Sequence, residues 1–167
     1  MVILGIDPGT AITGYGAVEY VRSRCRALGY GSIRTEATQP TPERLLHIYN
    51  SVCGLIDLYS PEALSVEKLF YGRNVQSAMA VGQARGVVIL CAAQHGVPVY
   101  EYTPTAVKLG VTGEGRATKE QVQYMIKALL DLDEAPRPDD VADALGLAIC
   151  HALVGSTAKA WQSAREV

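Results

Sequence analysis

Aromatic anchors are scarce in this chain, which has one Phe and one Trp among 167 residues. Charge is sparse as well: Asp, Glu, Lys and Arg make up 19%, and the net charge is −2. That composition excludes a mostly disordered chain and a uniformly basic nucleic-acid coat. The four cysteines, Cys25, Cys53, Cys91 and Cys150, are far apart and form no CxxC pair. The spacing argues against a disulfide scaffold, and the expectation is buried free thiols in a reducing compartment. The three histidines, His47, His95 and His151, show no metal-ligand spacing, so no zinc site is expected. His95 precedes Gly96 and reads as a helix C-terminal residue; the other two read as solvent-facing or core-edge. Long apolar runs are missing too. Residues 86–93 form the longest, too short for a bilayer, and the first run stops at Asp7, too soon for a signal peptide. A soluble, cytoplasmic protein without membrane association is expected.

The hydrophobic fraction of 49% and mean hydropathy of +0.11 supply enough apolar surface for one substantial core. Residues 2–7 read as a buried strand, followed by the turn Pro8-Gly9-Thr10. Residues 12–21 and 25–34 alternate as two further strands, hinged at Arg22-Ser23-Arg24. Thr41 reads as the N-cap of a first helix, with Pro42 at its first position and Ser60-Pro61 ending it. A strand reaches Glu67, and a second helix runs from about Asn74 to His95. Val97–Tyr100 reads as the last strand. A short helix over 104–109 follows, with Gly110 a threat to its integrity. Thr118 caps a helix to about Leu130, and the final helix spans about 139–154. The pattern predicts an α/β fold: a five-stranded mixed sheet, antiparallel meander plus parallel strands, flanked by helices. Residues 1–155 form the expected domain, and 156–167 a frayed tail.

Four acids stand out against this frame. Asp7 and Glu67 each end an apolar strand, and Asp140 and Asp143 lie three apart on one face of a helix start. Each has an ordinary alternative: Asp before Pro-Gly is a turn residue, Asp140 can be a cap, and Asp143 can complement the helix dipole. Together they say more. Strands 1 and 4 become parallel neighbours through the first helix, which sets Asp7 beside Glu67. Hard oxygen ligands favour Mg²⁺ or Mn²⁺ over zinc. Two such ions, roughly 3.5–4 Å apart, suit phosphodiester hydrolysis.

Charge distribution supports a polyanionic substrate. Lys68, Arg73, Arg85, Lys108, Arg116 and Lys119 face only Glu101 and Glu114 within the stretch 68–119. The segment Lys68-Leu69-Phe70-Tyr71-Gly72-Arg73-Asn74 carries the only Phe. Phe70 can stack on an exposed base while Lys68 and Arg73 hold phosphates, or it can close the core edge. Tyr71 is a second stacking candidate. Arg22, Arg24 and Arg26 read as a solvated hairpin face.

The whole arrangement resembles a RuvC-type Holliday-junction resolvase of the RNase H-like superfamily. The resemblance rests on Gly5-Ile6-Asp7-Pro8-Gly9, Val66-Glu67-Lys68-Leu69-Phe70, Gly82-Gln83-Ala84-Arg85-Gly86, Val107-Lys108, Gly113, Gly115, Lys119, Val122 and Ala142-Asp143-Ala144-Leu145. It implies that Asp7, Glu67, Asp140 and Asp143 form the catalytic metal-binding set for two Mg²⁺ ions. It also implies that Lys108 and Lys119 lie near the scissile phosphate; Arg116, in the intervening glycine loop, and Asn74 are further candidate DNA contacts. Such enzymes act as homodimers, nick four-way DNA junctions symmetrically, and work with the RuvA–RuvB branch-migration proteins. The second helix is the candidate dimer face. Gly5-Ile6-Asp7-Pro8-Gly9-Thr10 is also similar to a phosphate loop of actin-like ATPases, but those need two such domains. A non-catalytic junction binder is the other alternative, and it would not require four acids.

Overall fold

Why the acids meet is visible in the parity of the strands. The computed structural model describes residues 1–68 and 75–155. Its five strands are β1 (Val2–Asp7), β2 (Ile12–Val21), β3 (Arg24–Arg34), β4 (Ala63–Glu67) and β5 (Val99–Tyr102). They lie in the order β3-β2-β1-β4-β5. The first three form the expected antiparallel meander, and β1, β4 and β5 run parallel. The β2–β3 turn is tight, with Arg22 and Ser23 both at positive φ, as a two-residue hairpin with matching twist requires.

Successive side chains of a strand point to opposite faces. Leu4 and Ile6 of β1 join Leu64 and Val66 of β4 in one core, under α1 (Thr41–Tyr59) and α2 (Val75–Gln94). Ile3, Gly5 and Asp7 face the other way, toward α5 (Asp139–Cys150), whose Val141, Leu145, Ala148 and Ile149 build the second core. Gly5 is required by this packing. A Cβ there would run into the carbonyl oxygen of Ala144 and stand 2.9 Å from the Ala148 nitrogen. Gly14 on β2 likewise makes room for the Asp140 carbonyl. Bare backbone therefore lets α5 lie directly on β1 and β2, and this seats the helix's acidic first turn beside the end of β1.

Several expected boundaries move. Thr41 is the first residue of α1, not its cap; Pro40 occupies the cap, and its carbonyl accepts the Glu43 and Arg44 amides. The last strand is shifted from 97–100 to Val99–Tyr102, because Gly96 turns at φ 67° and pairing with β4 begins at Leu64–Val99. The short helix α3 (Pro104–Thr112) continues through Gly110, whose missing side chain admits Cys150 of α5. Thr118 caps α4 (Lys119–Leu129) in a capping box with Gln121, worth about 1 kcal/mol. α5 passes into a single π turn, His151–Gly155.

The cysteine expectation is corrected. Cys53 and Cys91 are paired as a disulfide, while Cys25 and Cys150 are free. α1 and α2 lie side by side on one face of the sheet, so residues 38 apart in sequence come within 5.9 Å between Cα atoms. His151 is buried rather than peripheral, with its Nδ1 2.7 Å from the Tyr102 hydroxyl. Among the described residues, no helix is long and apolar enough to cross a membrane. The tail 156–167 lies outside the described residues.

Candidate active site

The last residues paired between β1 and β4 are Ile6 and Val66, so Asp7 and Glu67 end their strands side by side, still paired to Gly14 of β2 and Tyr102 of β5 on their outer sides. Behind Asp7, Thr13 ties the 8–12 loop. Its hydroxyl donates to the Gly9 carbonyl at 2.7 Å and accepts the Gly9 amide at 3.3 Å. Arg85 of α2 braces the other side. Its Nε donates to the Glu67 carbonyl at 3.4 Å, and its guanidinium pairs with Glu101 at 2.5 Å. Lys68, exposed beyond Glu67, is pinned through its amide to the Tyr102 carbonyl at 2.8 Å.

Asp7, Glu67 and Asp143 line one cavity of about 300 Å³ with Lys108 of α3 and Lys119 of α4. Pro104, Val107, Val122 and Leu147 form its apolar wall. Asp140 does not line it, but its charge is felt at Asp7. The acids surround the space without closing on one point. Among the described residues, no three carboxylates bring oxygens within 4.8 Å of one another.

The electrostatics are those of a crowded anionic pocket. Asp7 is pushed up to about 7, first by burial and then by Asp143, Glu67 and Asp140, with Lys119 opposing. Glu67 is raised by burial and by Asp143. Asp143, although it keeps an open side to solvent, is raised chiefly by the desolvation of its packed side, against the pull of Lys119. Like charges this close disfavour ionisation until a cation offsets them. The anionic donors are carboxylate oxygens, and among the described residues no thiol or imidazole lines the cavity, so the residues fit hard divalent cations of the Mg²⁺ class.

Lys119 is held from the rim of the cavity. Its Nζ lies 2.8 Å from Asp139, which raises its pKa, and Asp139 also accepts from Gln123 at 3.0 Å. Asp139, Gln123 and the bracing role of Arg85 are the parts of the site that sequence reasoning missed. The doublet Asp139-Asp140 and the Lys119/Gln123 spacing of four were the available signals.

Of the residues expected from sequence, Asp7, Glu67, Asp143, Lys108 and Lys119 come together, with Asp140 off the cavity lining but near enough for its charge to act on Asp7. Arg116 is exposed and does not line the cavity. Phe70, Tyr71, Arg73 and Asn74 lie outside the described residues. Arg26 of the hairpin is exposed and pairs with Glu19 at 2.9 Å.

Comparison with known proteins points one way. A family model described as "Crossover junction endodeoxyribonuclease RuvC" matches residues 3–151. A protein of that name from Moorella thermoacetica is 58% identical over 152 residues, covering 91% of each chain. One from Desulforamulus reducens is 51% identical, over 94% of this chain and 96% of the relative. Among solved structures, Thermus thermophilus RuvC in complex with Holliday junction substrate superposes with a TM-score of 0.91 at 39% identity, covering 95% of this chain and 96% of that one.

Proposed function

The chain belongs to the RuvC family of crossover junction endodeoxyribonucleases, and from that premise we propose that it resolves four-way DNA junctions by paired, symmetric phosphodiester hydrolysis. The observation that carries the reading is the single cavity into which β1, β4 and α5 deliver Asp7, Glu67 and Asp143. These three, with Asp140, would hold two divalent cations, Mg²⁺ or Mn²⁺. When bound, such cations supply positive charge against the phosphodiester and the acidity that activates water.

The chain's own residues supply the rest. Lys108 and Lys119 face the acids across the cavity and offset the negative charge that develops on a phosphate. Asp139 and Gln123 keep the Lys119 ammonium at that space rather than free in solvent. Among the described residues no hydroxyl or thiol side chain lines the cavity, so none of them offers a nucleophile, which accords with direct attack by water. Lys68, Arg73, Asn74 and Arg116 are proposed to guide the DNA arms, and Phe70 and Tyr71 to engage bases at the exchange point.

Residues 1–155 act as one nuclease domain in this proposal, and two copies form the working homodimer. Exposed Met79 and Leu90 on α2, with Leu46 and Leu58 on α1, offer apolar surface for the second copy. A RuvA–RuvB complex is the proposed branch-migration partner, and the cytoplasm the compartment. The test is incubation with a synthetic mobile four-way junction and Mg²⁺, followed by mapping of the nicks. Paired nicks at symmetric positions, dependent on the cation, are expected. Binding without nicking would leave a junction-binding protein instead.

A further inference from the structure

On the opposite face of the sheet from α5, two helices present a matched set of side chains. Cys53 and Asp57 lie four apart on α1; Cys91 is in the last turn of α2, and His95, four residues on and just past its end, continues that turn by donating its amide to the Cys91 carbonyl. That spacing puts each pair on one helical face. Ligand atoms of Cys53, Cys91 and His95 all fall within 4.8 Å of one another. Among the described residues this is the one such group of three. His95 Nδ1 stands 3.8 Å from the Cys91 sulfur, and its Nε2 stands 3.5 Å from an Asp57 carboxylate oxygen.

We propose that, when the Cys53–Cys91 disulfide is reduced, Cys53, Cys91 and His95 bind one zinc ion that clamps α1 to α2, with Asp57 holding His95. Reduction by a phosphine draws two electrons from phosphorus and two protons from water, whose oxygen leaves as the phosphine oxide, and gives two thiols. Zinc then displaces the two thiol protons. The edge between sulfur and nitrogen in a tetrahedral zinc site is roughly 3.5 Å for bonds near 2.3 and 2.0 Å. The 3.8 Å separation of Cys91 Sγ and His95 Nδ1 is close to that edge. His95 Nδ1 gives up its 2.8 Å contact with the Cys91 carbonyl, and Nε2–H donates to Asp57. A ligating histidine whose second nitrogen meets a carboxylate is the usual supporting arrangement in metal sites.

The surroundings fit the ion's charge. Cys91 is fully buried beside Val88 and Ala92, where an isolated thiolate would be costly. Zinc with two thiolates and a neutral imidazole carries no net charge. Cys53 is half-buried and His95 exposed, so a fourth, water-filled position opens outward. Soft thiolate ligands separate this site from the all-oxygen cavity by metal preference.

The test uses the full-length protein reduced with a phosphine and titrated with Co²⁺ as a spectroscopic stand-in, then with Zn²⁺. Sulfur-to-cobalt charge-transfer absorption is expected, saturating at one ion per chain and bleached by zinc. The carboxylate cavity contains no sulfur and cannot give this band. Cys53→Ser and Cys91→Ser should each abolish it, and Asp57→Asn should weaken affinity about 10–100-fold. Zinc should also protect Cys53 and Cys91 from alkylation. If Cys91→Ser fails to fold, the partly exposed Cys53→Ser decides. No charge-transfer band in the reduced wild type, an unchanged band in Cys53→Ser, or alkylation indifferent to zinc would overturn the proposal and leave nuclease activity untouched.

Discussion

Asp7 and Glu67 stand at adjacent ends of two parallel strands, one residue past the Ile6–Val66 pair, and both have pKa values raised by burial and by neighbouring charge. This juxtaposition concentrates negative charge in the pocket, and it gives the metal-free protein a distinctive pH response. Asp7 sits at about 7 in the fold against an ordinary value of 3.8. Between those values the folded state keeps a proton that the unfolded chain has released. Stability without metal therefore falls as pH rises from about 4 to about 7, then levels. Asp7→Asn should make the metal-free protein more stable than wild type near pH 8, with the difference vanishing below about pH 4. Urea denaturation across that range, with chelator present, checks the sign.

The seating of α5 gives a second expectation. Adding a side chain at Gly5 forces it against the helix backbone, and overpacking of this kind typically costs about 1–3 kcal/mol or more. Gly5→Ala should lower the denaturation midpoint. It should also reduce nicking beyond the loss of folded protein, because α5 carries Asp140 and Asp143. Full activity per folded molecule would show that the helix can shift without disturbing the acids.

The lysines should separate by salt dependence. Lys108→Ala and Lys119→Ala should each slow cleavage. Each ammonium that neutralises a phosphate should, when removed, flatten the log–log salt slope of binding by roughly 0.9. Asp139→Asn should loosen Lys119 and slow cleavage less than Lys119→Ala does. An unchanged slope in the double lysine variant would make both lysines ordinary surface charges.

Phe70 follows Glu67 by three residues, and base–aromatic stacking is worth about 1–3 kcal/mol. Phe70→Ala should keep cation binding and lose cleavage, while Phe70→Trp retains much of it. A fluorescent base analogue at the exchange point reports the unstacking. Identical fluorescence changes and nicking rates in wild type and Phe70→Ala would assign Phe70 to packing.

Much of the site is legible in the sequence because strand alternation and helix spacing are local. Apolar parity of Val2–Asp7 and Ala63–Glu67 places two acids, and the three-residue spacing places the others on one helix face. Thr118 announces the α4 cap in sequence. The misses are tertiary. Nothing local says that Gly5 and Gly14 receive α5, or that Gly110 receives Cys150. Cys53, Cys91 and His95 look unrelated in sequence because their proximity depends on how α1 and α2 pack. The contacts of Asp139 with Lys119 and Gln123 likewise depend on how α4 meets the start of α5.

The central claim is that these acids hold cations for cutting rather than hold DNA. The most direct measurement compares junction binding and Mg²⁺-dependent nicking for wild type and Asp7→Asn on the same mobile four-way junction. The account predicts that Asp7→Asn binds the junction about as well as wild type and makes no paired nicks. Near-normal nicking by Asp7→Asn would contradict it.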